Sequence, residues 1–224
     1  MPLTRIVPPG MSYPYDIKRF YNPNQVKTIF DVGANIGQTS LFLNLHFPQA
    51  EIFSFEPVND TYEILKKNTN HLDKVQIFNQ ALGDQENQKI IRIRENSELN
   101  TLVDTSNCLL ADAEKSEIIN ISTVDVFGQT NQIKKIDILK MDVQGYELEV
   151  VRGADYYIKN NLVSFIYAEI DFDESNKECQ YFGDLNDWLQ KNNFRLSGFY
   201  EFFRWGENKK YFGFCNALFV NCNL

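Results

Sequence analysis

Four acidic residues, Asp31, Glu56, Asp142 and Glu169, lie where predicted strands end, and they are the best candidates for chemistry in this chain. In an open α/β sheet, ligands bind outside the carboxyl ends of the parallel strands. Acids at neighbouring strand ends can take a proton from a hydroxyl group or bind a hard cation such as Mg²⁺. The positions of these residues therefore predict one site that they share.

The segment from Asp31 to Gly37 predicts a nucleoside-binding turn between a strand and a helix. A dinucleotide fingerprint that began at Gly33 would require glycine at positions 35 and 38, where this chain has Asn35 and Gln38. The incomplete phosphate cradle favours a ligand that has adenosine and no pyrophosphate, such as S-adenosylmethionine. In this interpretation Gly33 allows close approach of the ligand, Asp31 binds its ammonium group, and the helix N-terminus near Asn35 favours its carboxylate.

Glu56, at the end of the second predicted strand, is the candidate for binding a ribose. It follows Asp31 by 25 residues, close to the roughly 20 residues expected for a ribose-binding acid. A carboxylate can accept hydrogen bonds from both hydroxyls of the diol; the alternative is a surface glutamate that ends the strand before Pro57. After the third predicted strand, Ala81 and Leu82 can flank an adenine ring, and a plain turn would explain them nearly as well.

The ends of the fourth and fifth strands predict where a reaction would take place. Asp142 follows the fourth strand, and Glu169 and Asp171 end the fifth, so neighbouring strands would bring them to one rim. One of these carboxylates would act as a general base, or all three would supply oxygen ligands to Mg²⁺. Asp142 can also be a simple helix cap, and Lys140 can pair with the acids beside it.

Apolar runs alternate with helical patterns along most of the chain, which predicts an α/β fold with an open sheet of parallel strands. Right-handed crossovers would join these strands. The predicted strands span residues 28–32, 51–55, 75–79, 136–141 and 162–170, and the predicted helices span residues 36–45, 61–68, 146–152 and 181–192. At the C-terminus, residues 194–203 and 211–221 predict an antiparallel hairpin at the edge of the sheet.

Two segments depart from this alternation. Residues 1–24 are rich in proline and tyrosine and show no period, which predicts an N-terminal arm or lid before a single domain of residues 25–224. The region of residues 84–127 predicts an inserted hairpin with a polar loop at residues 96–112. The arm and the polar loop are candidate lids over an acceptor.

The composition limits the class of protein. With 224 residues, 43% of them hydrophobic, the chain can bury one sizeable core. Its net charge of −8 argues against nucleic acid or an anionic membrane surface as a partner, and a neutral small molecule fits this charge better. No apolar stretch is long enough to span a membrane and the start lacks the pattern of a signal peptide, so the predicted location is cytoplasmic.

The four cysteines and two histidines do not have the spacing of a zinc site or a redox pair. Free thiols in a reducing compartment are the simpler interpretation. Aromatic residues near the C-terminus, such as Phe203 and Trp205, can stack on a sugar or pack in the core. The oligomeric state does not follow from the sequence.

The chain resembles the FkbM-type methyltransferases in four blocks: DVGANIG at 31–37, FEP at 55–57, ALGD at 81–84 and ILKMDVQGYELEVVRGA at 138–154. The resemblance implies a Rossmann-like class I methyltransferase fold, with a mostly parallel seven-stranded sheet, an antiparallel C-terminal edge hairpin and helices on both faces. It implies S-adenosylmethionine as cofactor and O-methylation of a sugar, a glycan or another natural product. By position, it places Asp31, Gly33, Asn35 and Glu56 on the cofactor. It places Asp142 at the rim that faces the acceptor.

The sequence departs from this family at the end of the fifth strand. The family often has Glu-x-His there, whereas this chain has Glu169-Ile170-Asp171. A histidine base is therefore excluded at this position, and the catalytic role falls to Asp142 or Glu169, or to a metal ion that these two bind with Asp171.

Three alternatives to O-methylation follow from the same residues. An NAD-dependent oxidoreductase is disfavoured by the missing glycines. A methyltransferase for nucleobase nitrogens is disfavoured because the Asn/Asp-Pro-Pro-aromatic pattern is absent after the fourth strand. The third alternative is a non-catalytic module that binds S-adenosylmethionine within a larger assembly.

Overall fold

The computed structural model describes residues 7–93 and 115–224. Strands and helices are numbered in chain order. The main sheet consists of β1 Thr28–Val32, β2 Glu51–Phe55, β3 Val75–Phe78, β7 Ile136–Met141, β8 Val163–Asp171, β9 Phe194–Tyr200 and β12 Phe214–Asn221.

The other elements cover this sheet or extend from it. A small second sheet contains β4 Ala81–Leu82, β5 Asn87–Ile93 and β6 Lys115–Ser122, and a surface ribbon contains β10 Arg204–Trp205 and β11 Tyr211–Phe212. The helices are α1 Tyr13–Phe20, α2 Gln38–His46, α3 Asn59–Thr69, α4 Val124–Thr130, α5 Glu147–Arg152, α6 Asp155–Lys159 and α7 Phe182–Lys191. Single 3₁₀ turns lie at Pro23–Gln25 and Glu207–Lys209.

The main sheet has the strand order β3, β2, β1, β7, β8, β12, β9. The neighbours from β3 to β8 are parallel, and β12 is antiparallel to both β8 and β9. This order confirms the predicted α/β class with a mostly parallel seven-stranded sheet and an antiparallel C-terminal edge. The insertion of the last strand between β8 and β9 was not part of the prediction, because local patterns do not reveal pairing order across a sheet.

Two hydrophobic cores lie on opposite faces of the main sheet, as expected for strands that are buried on both sides. On one face, Ile17 of α1 and Leu43 of α2 pack against Ile29 and Ile138. On the other face, the core includes residues of α4, α5, α6 and α7, such as Leu185, packed on the opposite side chains of the same strands. Helices on both faces are therefore confirmed.

The N-terminal segment contains a helix that the sequence pattern did not predict. Helix α1 buries Tyr13 and Ile17, and the Tyr13 ring stacks on Tyr167 with the ring centroids 3.8 Å apart. Asp16 accepts a hydrogen bond of 2.9 Å from the Tyr200 hydroxyl on β9. These contacts attach the arm to the main sheet, and a lid movement of the arm stays a prediction.

The inserted region contains the expected antiparallel pair, β5 with β6, and also pairs β4 parallel to β6. The predicted polar loop at residues 96–112, with its proposed lid role, and Cys108 lie outside the described residues. Within residues 7–93 and 115–224, no helix has the length and hydropathy of a membrane span.

If α1 belongs to the core, Ile17→Ala should lower the free energy of unfolding by about 2–5 kcal/mol, because it leaves a cavity at a fully buried position. Urea unfolding measures the change. Met11→Ala is the matched control, since Met11 precedes the helix and is 71% exposed. Equal stability of the two variants would show that α1 is not an integral part of the fold.

Candidate functional site

A cavity of about 460 Å³ lies at the carboxyl ends of β1, β2, β7 and β8, the position expected for a ligand in an open α/β sheet. Its volume is within the range of about 300–1,000 Å³ for small-molecule sites. Of the predicted site residues, the cavity is lined by Gly33, Asn35, Glu56, Ala81, Asp142 and Glu169.

A buried ion pair lies beneath the floor of this cavity. Lys140 Nζ is 2.9 Å from Asp31 Oδ1 and donates a hydrogen bond of 3.2 Å to the Gly33 carbonyl. The Ser40 hydroxyl donates to Asp31 Oδ2 at 2.6 Å. Asp31 is fully buried, and Lys140 rather than Asp31 reaches the cavity wall. The structure therefore places the carboxylate predicted to bind an ammonium group one layer below the ligand cavity.

The charge of Lys140 is maintained by its acidic neighbours. Burial alone would lower the pKa of Lys140, but the negative charges of Asp31, Asp142 and Glu169 outweigh this effect and raise it. Lys140 is therefore a permanent cation next to the cavity. The sequence predicted that Lys140 pairs with nearby acids, and its closest partner is Asp31 across the β1–β7 ladder.

The glycine turn has a different structural reason from the one predicted. Gly33 has φ of 75°, and a Cβ there would lie 1.9 Å from the Asp142 carbonyl oxygen. The N–H groups of Gly33 and Ala34 both donate to the Phe55 carbonyl, at 3.1 and 2.9 Å. Only glycine fits, because the protein's own backbone approaches at this point. The turn is thus fixed to the ends of both neighbouring strands.

Glu56 is held in one orientation at the cavity wall. Its Oε2 accepts from the Asn35 N–H at 3.1 Å, and its Oε1 accepts from the Val58 N–H at 2.9 Å. Burial raises the pKa of Glu56 to about 7, even though both backbone hydrogen bonds oppose the change. Asn35 has φ of 47°, a left-handed conformation that asparagine tolerates better than most residues. The carboxylate is therefore ordered before any ligand binds.

An apolar wall continues from Glu56. Val58, Ala81, Leu82 and Ile91 line the cavity with Phe55. The predicted pair Ala81 and Leu82 is in this wall. Ile91 comes from the inserted sheet, and no sequence pattern predicted that it would contribute. These side chains form a surface of the kind that an adenine ring can contact.

Opposite this wall, two carboxylates accept hydrogen bonds from the same side-chain amide. Gln144 Nε2 donates to Asp142 Oδ1 at 3.1 Å and to Glu169 Oε1 at 3.3 Å. Burial, followed by the negative charge of Asp142, raises the pKa of Glu169 to about 7. The Asp142 side chain is 42% exposed. The structure thus brings the two predicted catalytic acids together, and it increases the affinity of Glu169 for a proton.

Glu147 supports the turn that follows β7, and the sequence analysis did not identify it. Its side chain is fully buried, and Oε1 accepts from the Val143 N–H at 2.8 Å. Burial raises the pKa of Glu147 to about 8. Its hydrogen bond to the Val143 N–H fixes the backbone next to Asp142.

The structure does not support the predicted magnesium site. Asp171 accepts from the Asp173 N–H at 2.9 Å and from Asn176 Nδ2 at 2.7 Å, so its carboxylate organises the loop after β8. Across residues 7–93 and 115–224, no group of three or more His, Cys, Asp or Glu side chains is arranged to bind a metal ion.

Several cavity residues were absent from the sequence prediction. They come from loops after strands or from the last strand: Gln144, Tyr146, Asn176, Glu178, Cys179 and Phe214. Their position after β7 and β8 was the available signal, because residues beyond strand ends in such a sheet face the ligand crevice. Phe214 had no such signal, since it starts the antiparallel strand β12.

Comparison with known proteins gives a family match over most of the chain. The family model described as Methyltransferase FkbM domain matches residues 31–196. The methyltransferase sdnD of Sordaria araneosa is 29% identical over an alignment of 155 residues that covers 57% of this chain and 60% of that protein. The hexuronic acid methyltransferase AglP of Haloferax volcanii is 25% identical over an alignment of 147 residues that covers 63% of this chain and 55% of AglP. The chain therefore spans less than two thirds of the length of these relatives.

Among solved structures, the METTL16 MTase domain has a TM-score of 0.51 and 13% identity, and the match covers 94% of this chain and 65% of that domain. At this level of identity the likeness shows the fold alone. The fold is that of class I methyltransferases.

The buried pair makes a prediction about stability. Lys140→Met should lower the free energy of unfolding by about 3–5 kcal/mol, because it leaves Asp31 buried without a counter-charge. The double variant Asp31→Asn/Lys140→Met should recover much of this loss. Lys159→Met is the control, since it breaks a surface pair of 2.8 Å with Asp155 and should cost no more than about 1 kcal/mol. Urea unfolding measures all three variants, and a small loss for Lys140→Met would contradict the structural role of the pair.

Proposed function

Because the chain belongs to the FkbM methyltransferase family, we propose that it binds S-adenosylmethionine in the cavity and methylates a hydroxyl group of a sugar, a glycan or another natural product. The observation that carries this proposal is that one cavity has two acidic residues, Glu56 and Glu169, on opposite sides. An ordered carboxylate, Glu56, lies beside an apolar wall, and a proton-accepting carboxylate, Glu169, lies across from it.

The residues present fit this cofactor. Glu56 is fixed by two backbone N–H groups and is free on its cavity side to accept from a ribose diol. Ala81 and Leu82 would contact the adenine, and the turn at Gly33 and Asn35 would lie against the amino acid portion. When bound, S-adenosylmethionine supplies a methyl group activated by a sulfonium. The family assignment favours this cofactor over NAD.

Glu169 is the proposed general base. A base is most effective when its pKa lies near the working pH, and burial with the neighbouring charge of Asp142 raises the pKa of Glu169 to about 7. Gln144 fixes the orientation of the carboxylate through Oε1. Asp142 is then a positioning residue that tunes Glu169, and its exposed side chain faces the space where an acceptor would enter.

The acceptor class rests on chemistry and on similarity. A carboxylate base suits a hydroxyl acceptor, which must lose a proton as the new bond forms. AglP, one of the relatives, is a hexuronic acid methyltransferase, which supports a carbohydrate acceptor. The exclusion of nucleic acid stays a prediction from the net charge of −8, and so does a cytoplasmic location.

Glu56→Gln tests the cofactor assignment. The substitution keeps the shape but weakens the acceptor for a diol, so the affinity for S-adenosylhomocysteine should fall at least tenfold, or about 1.4 kcal/mol. Isothermal titration calorimetry measures it. Glu51→Gln, at the exposed start of the same strand, should bind as the wild type does. An affinity within threefold of the wild type, about 0.7 kcal/mol, would show that Glu56 does not bind the ribose.

The pH dependence of methyl transfer tests Glu169 as the base. Only the deprotonated form accepts a proton, so kcat/KM should rise with pH and level off above about 7. Glu169→Gln should reduce turnover by about 100-fold or more, whereas Glu174→Gln in the exposed loop after β8 should not. The measurement is transfer of labelled methyl from S-adenosylmethionine to sugar acceptors.

Asp142→Asn separates the two carboxylates. Removing its charge removes one cause of the raised pKa of Glu169, so the midpoint of the pH profile should move to lower pH while turnover persists. Complete loss of turnover would make Asp142 the base instead.

Chelator treatment tests whether Glu169 acts without a metal ion. A rate that fell with a chelator and returned with Mg²⁺ would contradict catalysis by the carboxylate alone. Cofactor binding without turnover on any acceptor would favour a non-catalytic binding module.

A further inference from the structure

Four aromatic rings lie in two contacting pairs between the cavity and the surface ribbon of β10 and β11. Phe214 lines the cavity, and Phe203 stacks on it with ring centroids 4.7 Å apart and ring planes 14° apart. Farther out, the rings of Trp205 and Tyr211 are in contact, with centroids 4.9 Å apart. We refer to Phe214, Phe203, Trp205 and Tyr211 as the aromatic row.

The backbone of the ribbon sets the positions of these rings. Trp205 pairs with Tyr211, and Phe203 lies two residues before Trp205, so both project to the same face. The Gly213 N–H donates to the Phe203 carbonyl at 3.0 Å. A Cβ at Gly213 would lie 2.8 Å from the Phe203 ring and 3.4 Å from the Trp205 ring. Glycine at this position therefore gives both rings the space to lie across the backbone.

The outer rings of the row are open to solvent: Phe203 is 48% exposed, Trp205 is 55% exposed and Tyr211 is 48% exposed. Contiguous exposed apolar surface of this kind marks an interaction site. These three rings form a half-exposed aromatic platform. Such a platform suits a molecule with one apolar face whose other groups stay hydrated, which is the character of a sugar ring, whereas an acyl chain would require enclosure.

The ribbon also carries positive charge in a chain whose net charge is −8. Arg204, Lys209 and Lys210 lie along residues 204–211, where Glu207 is the one acid. Arg204 is fixed by hydrogen bonds of 2.8 and 3.0 Å to the carbonyls of Lys209 and Lys210. Opposite charges across an interface favour the matching partner and exclude the wrong one, so this surface favours anionic groups.

We propose that the aromatic row is the acceptor subsite of the methyltransferase and that the acceptor is an acidic oligosaccharide. This inference rests on the proposed function. Tyr211 lies three positions before Phe214, a separation of at most about 10 Å along the chain, which is longer than one six-membered ring. The sugar to be methylated lies at the cavity end beside Phe214 and Glu169, and the following sugars stack on Phe203 and Trp205 with their acidic groups near the lysines.

Binding of defined oligosaccharides tests the subsite without requiring turnover. The probes are hexasaccharides of galacturonic acid and of hyaluronan, maltohexaose as the neutral comparison, and monomeric galacturonic acid, each titrated into the full chain by calorimetry. At least one acidic hexasaccharide should bind at least tenfold more tightly than maltohexaose and the monomer, and more weakly in higher salt. Trp205→Ala and Phe203→Ala should each weaken this binding at least tenfold.

Two further variants test whether oligosaccharide binding depends on the aromatic row or on any exposed aromatic ring. Tyr156→Ala, on α6, removes a ring that is 48% exposed at another surface and should leave oligosaccharide binding unchanged. Gly213→Ala keeps all four rings but displaces Phe203 and should also weaken binding. Failure of both acidic hexasaccharides to bind, or equal binding by Trp205→Ala, would overturn the proposal. So would Trp205-dependent binding to phosphatidylcholine–phosphatidylglycerol vesicles with no oligosaccharide binding, since the row would then be a membrane contact.

The cofactor titration separates this inference from the proposed function. S-adenosylhomocysteine should bind Trp205→Ala and the wild type equally, because Trp205 does not line the cavity. If the cofactor product binds but the oligosaccharides do not, the subsite is wrong and the methyltransferase assignment stands. If oligosaccharides bind through Trp205 and S-adenosylhomocysteine does not bind, the subsite stands and the methyltransferase assignment is wrong.

Discussion

The buried ion pair between Asp31 and Lys140 is the interaction on which the site depends. The two residues are register partners on β1 and β7, so their side chains project together from neighbouring strands. The same charges are bonded to Ser40 of α2 and to the Gly33 carbonyl. Because a buried charge is stable only with partners, strand pairing, helix position and the glycine turn must all be correct at once. The cavity floor is therefore a direct consequence of the register of the sheet.

The same cation organises the acids above it. Lys140 lies next to Asp31 and, at 3.9 Å, to Asp142, and its charge also acts on Glu169. One buried cation does not neutralise three nearby carboxylates, and burial raises the pKa of Glu169 further. Glu56 shows the same effect of burial on the opposite side of the cavity. The fold thus raises the pKa of two acids beside the cavity, Glu56 and Glu169, to about 7.

The cavity combines walls that are fixed by backbone hydrogen bonds with walls built from distant parts of the chain. The Glu56 carboxylate is fixed by the N–H groups of Asn35 and Val58, and the turn at Gly33 is fixed by hydrogen bonds to the Phe55 carbonyl at the end of β2. Ile91 and Phe214 come from the inserted sheet and from the last strand. In class I folds, function is determined by such additions to a common sheet. The stacked rings of Phe214 and Phe203 lead from this cavity toward the surface ribbon of β10 and β11.

The sequence by itself determined the order of the main-sheet strands and of helices α2, α3, α5 and α7, the turn at residues 31–37 and the wall positions of Glu56 and Ala81, because hydrophobic period, glycine spacing and strand ends are local properties. Helices α1, α4 and α6 were not among the predicted helices. Only the tertiary structure decided that Asp31 pairs with Lys140, that Gly33 is required by the Asp142 carbonyl, and that Glu147 is buried under the rim. The tertiary structure also decided that β12 lies between β8 and β9, which places Phe214 at the cavity. These features depend on pairing, register and burial between segments far apart in the chain, and no local pattern of residue types encodes them.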